Sequence, residues 1–349
     1  MEFISGEQKY FFEFLNNLKK KDRVGIVSHT DLDGISSAII AEKVLKDKKI
    51  KPKSFAFINY EKGVFQKVKK KFSAKKIKKI LIFDINIESD YENFKELDQA
   101  FDVFVVDHHP SSIASQTNIL KTGSFDCTTF TLFELLKKDF NLNQLKELVC
   151  ATMLVEYSFK SDSNFSFMKE NYPDLILEDI FNSTLGKISS LFSSPITYFG
   201  GKAMKAFLVI KKIIKKRNVN LLLKYKKIIE KEIASTSEKF VKEAEYYPEK
   251  NLYFYYSPLK FGVSSIIVSE LSSKQPEKTF IFVSDITNKP DFVKVSSRNN
   301  SGKIDLNTLM KKGVEGLKEA MGGGHVAASG ASFMKKDLDK FKQNILNAL

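Results

Sequence analysis

Three short segments carry the residue types that hold divalent cations: His29-Thr30-Asp31-Leu32-Asp33-Gly34, Asp84, and Asp107-His108-His109. Carboxylates gathered in one place repel one another unless cations sit among them. Carboxylate oxygen suits hard divalent ions, and imidazole shifts the choice towards manganese or zinc over magnesium. Five or more such ligands exceed what one ion needs. Two ions roughly 3.5–4 Å apart, bridged by a carboxylate and a water, form a phosphoester-cleaving arrangement. There the water loses a proton and attacks, and the ions neutralise the phosphate charge. Each segment alone has plainer work, since Asp31 and Asp33 beside Gly34 suit a turn and helix cap, and Asp84 suits a cap. Three of the four histidines, however, stand in these segments. Together the segments point to a metal centre.

A sheet must position them. Arg23–Ser28, Ser54–Ile58, Ile80–Phe83 and Val103–Val106 are short, nearly continuous apolar runs. Helical patterns cover Gln8–Lys19, Ile35–Leu45 and Val64–Phe72. Strands apolar on both faces, alternating with helices, predict a parallel sheet covered on both sides. Three of the four strands run straight into the three segments. Their polar residues therefore meet at the carboxyl edge of one sheet, where open α/β sheets bind ligands. Residues 129–160 read as largely helical, and the basic stretch 202–243 reads as a helical connector.

A second α/β unit follows, with strands at Leu252–Tyr256, Thr279–Val283 and Phe292–Val295 and helices at Ser264–Leu271, Leu306–Lys312 and Leu338–Ala348. Gly322, Gly323 and Gly324 precede His325, the fourth histidine. Consecutive glycines let backbone N–H groups approach an anion, and a helix starting there would aim its amides at it. Arg298, directly after a strand, could grip phosphate in a bidentate way. The expected architecture is α/β: a parallel-sheet catalytic domain over 1–195, a helical connector over 196–248 and a smaller substrate-binding α/β domain over 249–349.

The 349-residue length suits two domains. Lys and Arg exceed Asp and Glu by 56 − 42 = 14, which favours a polyanionic partner, nucleic acid before membrane. Cys127 and Cys150 have no metal-ligand spacing. The opening MEFISGEQKYFFEF does not read as a secretory signal, and no apolar run reaches the roughly 18 residues that span a bilayer. A cytoplasmic protein without membrane association is expected.

The segments Ser28–Gly34, Asp84 and Asp107-His108-His109 resemble motifs I, II and III of the DHH phosphoesterase superfamily. Val295-Ser296-Ser297-Arg298 with Gly322-Gly323-Gly324-His325 is similar to its DHHA1 C-terminal domain. This subgroup includes RecJ-like single-strand exonucleases, nanoRNases of the NrnA type and cyclic-dinucleotide phosphodiesterases. The spacing of His29, two before Asp31, resembles archaeal RecJ-like proteins. The resemblance implies that Asp31 binds one metal, Asp33 and His108 the other, and that Asp84 bridges. His29 is a further candidate ligand. His109 would contact the scissile phosphate or support the site, with Asp107 orienting a neighbouring group. Arg298 and His325, with the glycines, would hold the substrate's phosphate or terminal nucleotide. Where the motif IV aspartate is expected this chain has Glu156, one methylene longer, with Asp162 the alternative. The implied function is a manganese-dependent exonuclease on single-stranded DNA or RNA, magnesium being the alternative ion. A nanoRNase or cyclic-dinucleotide phosphodiesterase is the second reading. A catalytically weak scaffold among replication or repair proteins is the third. A homodimer stays open.

Overall fold

The computed structural model describes residues 2–110, 115–286 and 289–349. The chain divides into two compact units, residues 1–226 and 227–349.

The first unit begins with β1 (Phe3–Ser5) and α1 (Gln8–Asn16). There follow β2 (Val24–His29), α2 (Leu32–Asp47), β3 (Ser54–Ile58), α3 (Val64–Ala74), β4 (Lys79–Phe83), α4 (Tyr91–Ala100) and β5 (Asp102–Asp107). Then come β6 (Ile119–Thr122), α5 (Thr128–Leu136), α6 (Lys146–Val155), α7 (Asp162–Asn171), α8 (Thr184–Phe199) and α9 (Ala203–Lys216). The sheet order is β1-β6-β5-β4-β2-β3. All neighbouring pairs are parallel except β1 with β6. The four apolar runs are strands as expected. β1 and β6 are additions, each too short to show a period.

Both sheet faces are buried, as a parallel sheet requires. Val24, Ile26, Leu81, Phe83, Phe104 and Val106 pack beneath α1, α2 and α5. Val27, Ile80, Ile82, Val103 and Val105 pack under α3 and α4. The chain crosses from β3 over β2 to reach β4, so the strand order switches at the β2–β4 boundary. A crevice opens at the carboxyl ends of strands at such a point.

The basic stretch is broken at Arg217, whose left-handed φ of 51° ends α9. Ala206, Phe207, Ile210 and Ile213 of α9 are buried in the first unit's core, with Lys212, Lys215 and Lys216 on its outer face. Most of α10 (Leu223–Glu243) belongs to the second unit.

The second unit continues with β7 (Glu245–Tyr247), β8 (Leu252–Tyr256), α11 (Ser264–Lys274), β9 (Thr279–Ile286), β10 (Lys289–Arg298), α12 (Leu306–Gly313), β11 (Met321–His325), β12 (Ala328–Met334) and α13 (Leu338–Ala348). Its sheet order is β11-β12-β10-β9-β8-β7, mostly antiparallel. The glycine run corrects the expectation that a helix starts there. It is the edge strand of a hairpin with β12, and the segment after it is a strand. A Cβ on Gly322 would lie 2.4 Å from the Met310 carbonyl oxygen, so the strand reaches α12 only because that position is glycine. Among the described residues no helix is long and apolar enough to cross a membrane.

Candidate metal centre

The three segments converge at the switch point. Asp31 caps α2, its Oδ1 accepting from Gly34 N at 2.9 Å. A Cβ on Gly34 would lie 2.4 Å from the His29 carbonyl oxygen, so the tight return from β2 into α2 requires glycine. Capping and ligation are compatible, because the other oxygen, Oδ2, lies 2.6 Å from His29 Nδ1. Asp33, in the first turn of α2, is fully buried. Its two oxygens accept from Thr128 N at 2.8 Å and Thr129 N at 2.7 Å, the first amides of α5. A helix N-terminus is a natural seat for a carboxylate.

Asp84 follows β4 in left-handed backbone, φ 57°, and is 1% exposed. Strain of this kind concentrates at functional sites. Its Oδ1 lies 3.4 Å from His108 Nε2 and 4.0 Å from His109 Nδ1, and its Oδ2 lies 3.7 Å from His29 Nδ1. Two groups whose atoms could ligate a metal ion, each within 4.8 Å of one another, result among the described residues: His29, Asp31 and Asp84, and Asp84, His108 and His109. Asp84 belongs to both. Asp33 Oδ2 lies 3.8 Å from His108 Nε2, at the edge of the second group.

The electrostatics fit cations. Burial first, then the charges of Asp33 and Asp31, push the Asp84 carboxyl well above its ordinary range. Among the described residues no hydrogen-bond partner reaches the buried Asp84 Oδ2 or His108 Nδ1. Such orphaned atoms are costly unless something binds them. Burial alone would lower the two histidines. Asp31 and Asp84 outweigh it for His29, and Asp84 and Asp33 outweigh it for His108, lifting each to about 10. Glu156, just past α6, is raised to about 8 by burial and by Asp33 and Asp31. Its carboxyl therefore lies in the field of the centre, whereas Asp162 is exposed at the start of α7.

Raised carboxyls and imidazoles keep protons in this cluster, and divalent cations binding there would displace them. Mn2+ affinity is therefore expected to rise with pH between about 6.5 and 8, by about tenfold per pH unit for each proton released. Calorimetry in buffers of different ionisation heat measures that release. A pH-independent affinity would contradict the assignment.

Asp107 is a support. It is fully buried, accepting from His109 Nδ1 at 2.7 Å with Oδ1 and lying 3.0 Å from Lys121 Nζ with Oδ2. Burial raises its carboxyl, but His109 and Lys121 win and hold it below the ordinary range. Lys121, on β6, is 1% exposed and also donates to the His109 carbonyl at 3.2 Å. Tyr60, just past β3, places its hydroxyl 2.9 Å from His109 Nε2. Sequence reasoning missed both. Tyr60 had one available signal, its place at the fourth carboxyl end of the same sheet.

In the second unit, Arg298 ends β10 and donates from Nε and Nη2 to Ser269 Oγ at 3.2 and 2.9 Å. His325, on β11, is exposed. Ala328 is the cross-strand partner of both, which puts Arg298 and His325 on one face of the sheet. Gly323 shares that face, while Gly322 and Gly324 lie on the other.

A parallel sheet with an acid–histidine centre at its switch point, followed by a mainly antiparallel α/β unit, defines the class. The chain belongs to the DHH phosphoesterase family: residues 23–155 match the DHH family N-terminal domain and residues 250–349 match the DHHA1 domain. Its fold is similar to that of exonuclease RecJ bound to manganese, at 16% identity and TM-score 0.70, covering 97% of this chain and 92% of that one. It is also similar to Cdc45 from Entamoeba histolytica, at 10% identity and TM-score 0.60, covering 97% of each. An exopolyphosphatase-related protein from Bacteroides fragilis is 17% identical with TM-score 0.52, covering 98% of this chain and 96% of that one. No curated protein sequence matches the chain.

Proposed function

We propose that the chain is a divalent-cation-dependent phosphodiesterase acting as an exonuclease on single-stranded nucleic acid, with manganese the preferred ion. The observation that carries this is Asp84, buried, left-handed and shared by two groups of ligating atoms. Two cations held by Asp31, Asp33, Asp84, His108 and His29, with Glu156 beside them, would neutralise phosphate charge and make a water acidic enough to attack. Asp31, Asp33, Asp84 and His108 argue against a catalytically weak scaffold, and Glu156 in place of the expected aspartate is what favours one.

A nucleic acid strand is favoured over inorganic polyphosphate by three clustered rings, one of them adjacent in the chain to Glu156. Tyr157, directly after Glu156, has ring centroids 5.7 Å from Phe159 and 5.9 Å from Phe181. Tyr157 and Phe181 are 51% and 53% exposed, and Lys160 Nζ lies 5.2 Å from the Tyr157 ring. Exposed rings with a cation are what single strands stack on, at about 1–3 kcal/mol per base. Tyr157→Ala is expected to raise KM for a base-bearing strand by about tenfold and to leave an abasic strand unchanged. Equal effects on both strands would remove the stacking role.

The functional test is hydrolysis with Mn2+, comparing long end-labelled DNA and RNA strands, dimers to pentamers, a cyclic dinucleotide and inorganic polyphosphate. Progressive shortening of long strands supports the exonuclease. Cleavage of only the short or cyclic substrates would replace it with a nanoRNase or cyclic-dinucleotide phosphodiesterase. Turnover of polyphosphate alone would exclude nucleic acid, and no turnover at all would leave the scaffold.

A further inference from the structure

We propose that Tyr60 is a catalytic residue whose hydroxyl donates to the oxygen that departs when the phosphoester bond breaks. The inference rests on the phosphodiesterase reading above and extends it to a residue outside the acid–histidine motifs. Tyr60 touches a histidine of each ligating group. Its ring centroid is 4.8 Å from that of His29, and its hydroxyl is 2.9 Å from His109 Nε2. Asp107 Oδ1 lies 2.7 Å from His109 Nδ1, and the other ring nitrogen, Nε2, faces the Tyr60 hydroxyl. The phenol hydroxyl is thus held at the edge of the centre. The residue is 42% exposed, so an incoming ester can reach it.

The loop that carries Tyr60 is pinned at both ends. Thr30 Oγ1 donates to Asn59 Oδ1, tying the loop to the turn after β2. The buried Asp90 accepts from Gly63 N at 2.9 Å and from Phe65 N at 3.1 Å, and it also holds Asn93 Nδ2 at 2.6 Å. With the backbone around Tyr60 fixed before the substrate arrives, only the O–H has to turn towards the departing oxygen.

The chemistry needs such a donor. Hydrolysis adds one water across the P–O bond: the water's oxygen bonds to phosphorus, the ester P–O bond breaks, and the departing alkoxide takes up a proton. Tyr60 gives its hydroxyl proton to that oxygen, and the proton freed from the water restores the phenol.

The test compares wild type and Tyr60→Phe on two substrates with Mn2+. One is an unmodified dinucleotide, whose departing sugar alkoxide needs a proton. The other is a nucleoside p-nitrophenyl phosphate, whose departing nitrophenolate needs none. The expected result is a kcat about 10²-fold lower on the dinucleotide and within about threefold of wild type on the nitrophenyl ester. Mn2+ affinity and melting temperature should be unchanged, because the ring stays and only one oxygen is lost. Equal losses on both substrates, no loss on either, or a weakened Mn2+ affinity would each overturn the proposal. A wild-type protein inactive on both would remove the phosphodiesterase reading, and this inference with it.

Discussion

Asp84→Asn is expected to lower kcat for strand hydrolysis by at least about 10³-fold. Asparagine preserves the shape of the side chain and tolerates the left-handed backbone, φ 57°, that alanine would strain. What it removes is the one carboxylate common to both ligating groups. Asparagine offers one neutral oxygen where the buried carboxylate offers two charged ones. Stability should move the other way in metal-free protein. The folded-state pKa of Asp84 is raised, chiefly by burial and then by Asp33 and Asp31. A raised carboxyl is fully accommodated below its unfolded value of about 4, and stability is lost as pH rises from there through the folded value. The metal-free wild type should therefore lose stability as pH rises, and Asp84→Asn should lose less. Denaturant unfolding of both chains in chelator across that range reads the difference. Retained turnover, or a variant less stable than wild type at neutral pH, would contradict the role given to Asp84.

Lys121→Met should destabilise the protein by about 3–5 kcal/mol, a large effect for a residue in a four-residue strand. Lys121 and Asp107 are 1% and 0% exposed, and Lys121 Nζ lies 3.0 Å from Asp107 Oδ2. Removing the ammonium leaves a buried carboxylate with His109 and, more weakly, His108 to balance it. The pH dependence follows from the sign of the shift. Asp107 is depressed in the folded state despite its burial, because His109 and Lys121 oppose that burial. Its contribution is present above about pH 4 and is lost as pH falls through the depressed folded value. The gap between wild type and Lys121→Met should therefore narrow in acid. A neutral-pH difference under about 1 kcal/mol would show that the pair is not what holds this corner together.

Much of the first unit was legible in the sequence because parallel strands buried on both faces leave unbroken apolar runs. Val24–His29 and Asp102–Asp107 end in a polar group, and Lys79–Phe83 runs straight into Asp84, none of which the apolar runs can explain. The centre could therefore be placed at one sheet edge before its geometry was known. The groups that hold it were hidden for physical reasons. Lys121 is one of 56 basic residues, and nothing in its flanks marks it as buried. The amides of Thr128 and Thr129 that seat Asp33 are backbone groups, which sequence does not display. Asn59-Tyr60 follows β3 without a carboxylate or imidazole to single it out. In the second unit, Gly322–Gly324 did not read as a strand because glycine weakens strands. Pairing with β12 and close packing on α12 overrode that tendency. Glu156 against Asp162 could not be decided by spacing, since both follow α6 within a few residues. The field of Asp33 and Asp31 acts on Glu156.

Titration of the metal-stripped chain with Mn2+ tests most directly whether the strand-end cluster is a divalent-cation centre. Two ions per chain are expected for wild type, and Asp84→Asn should fail to bind the pair. No stoichiometric binding by wild type, or two ions bound with unchanged affinity by Asp84→Asn, would contradict the centre proposed here.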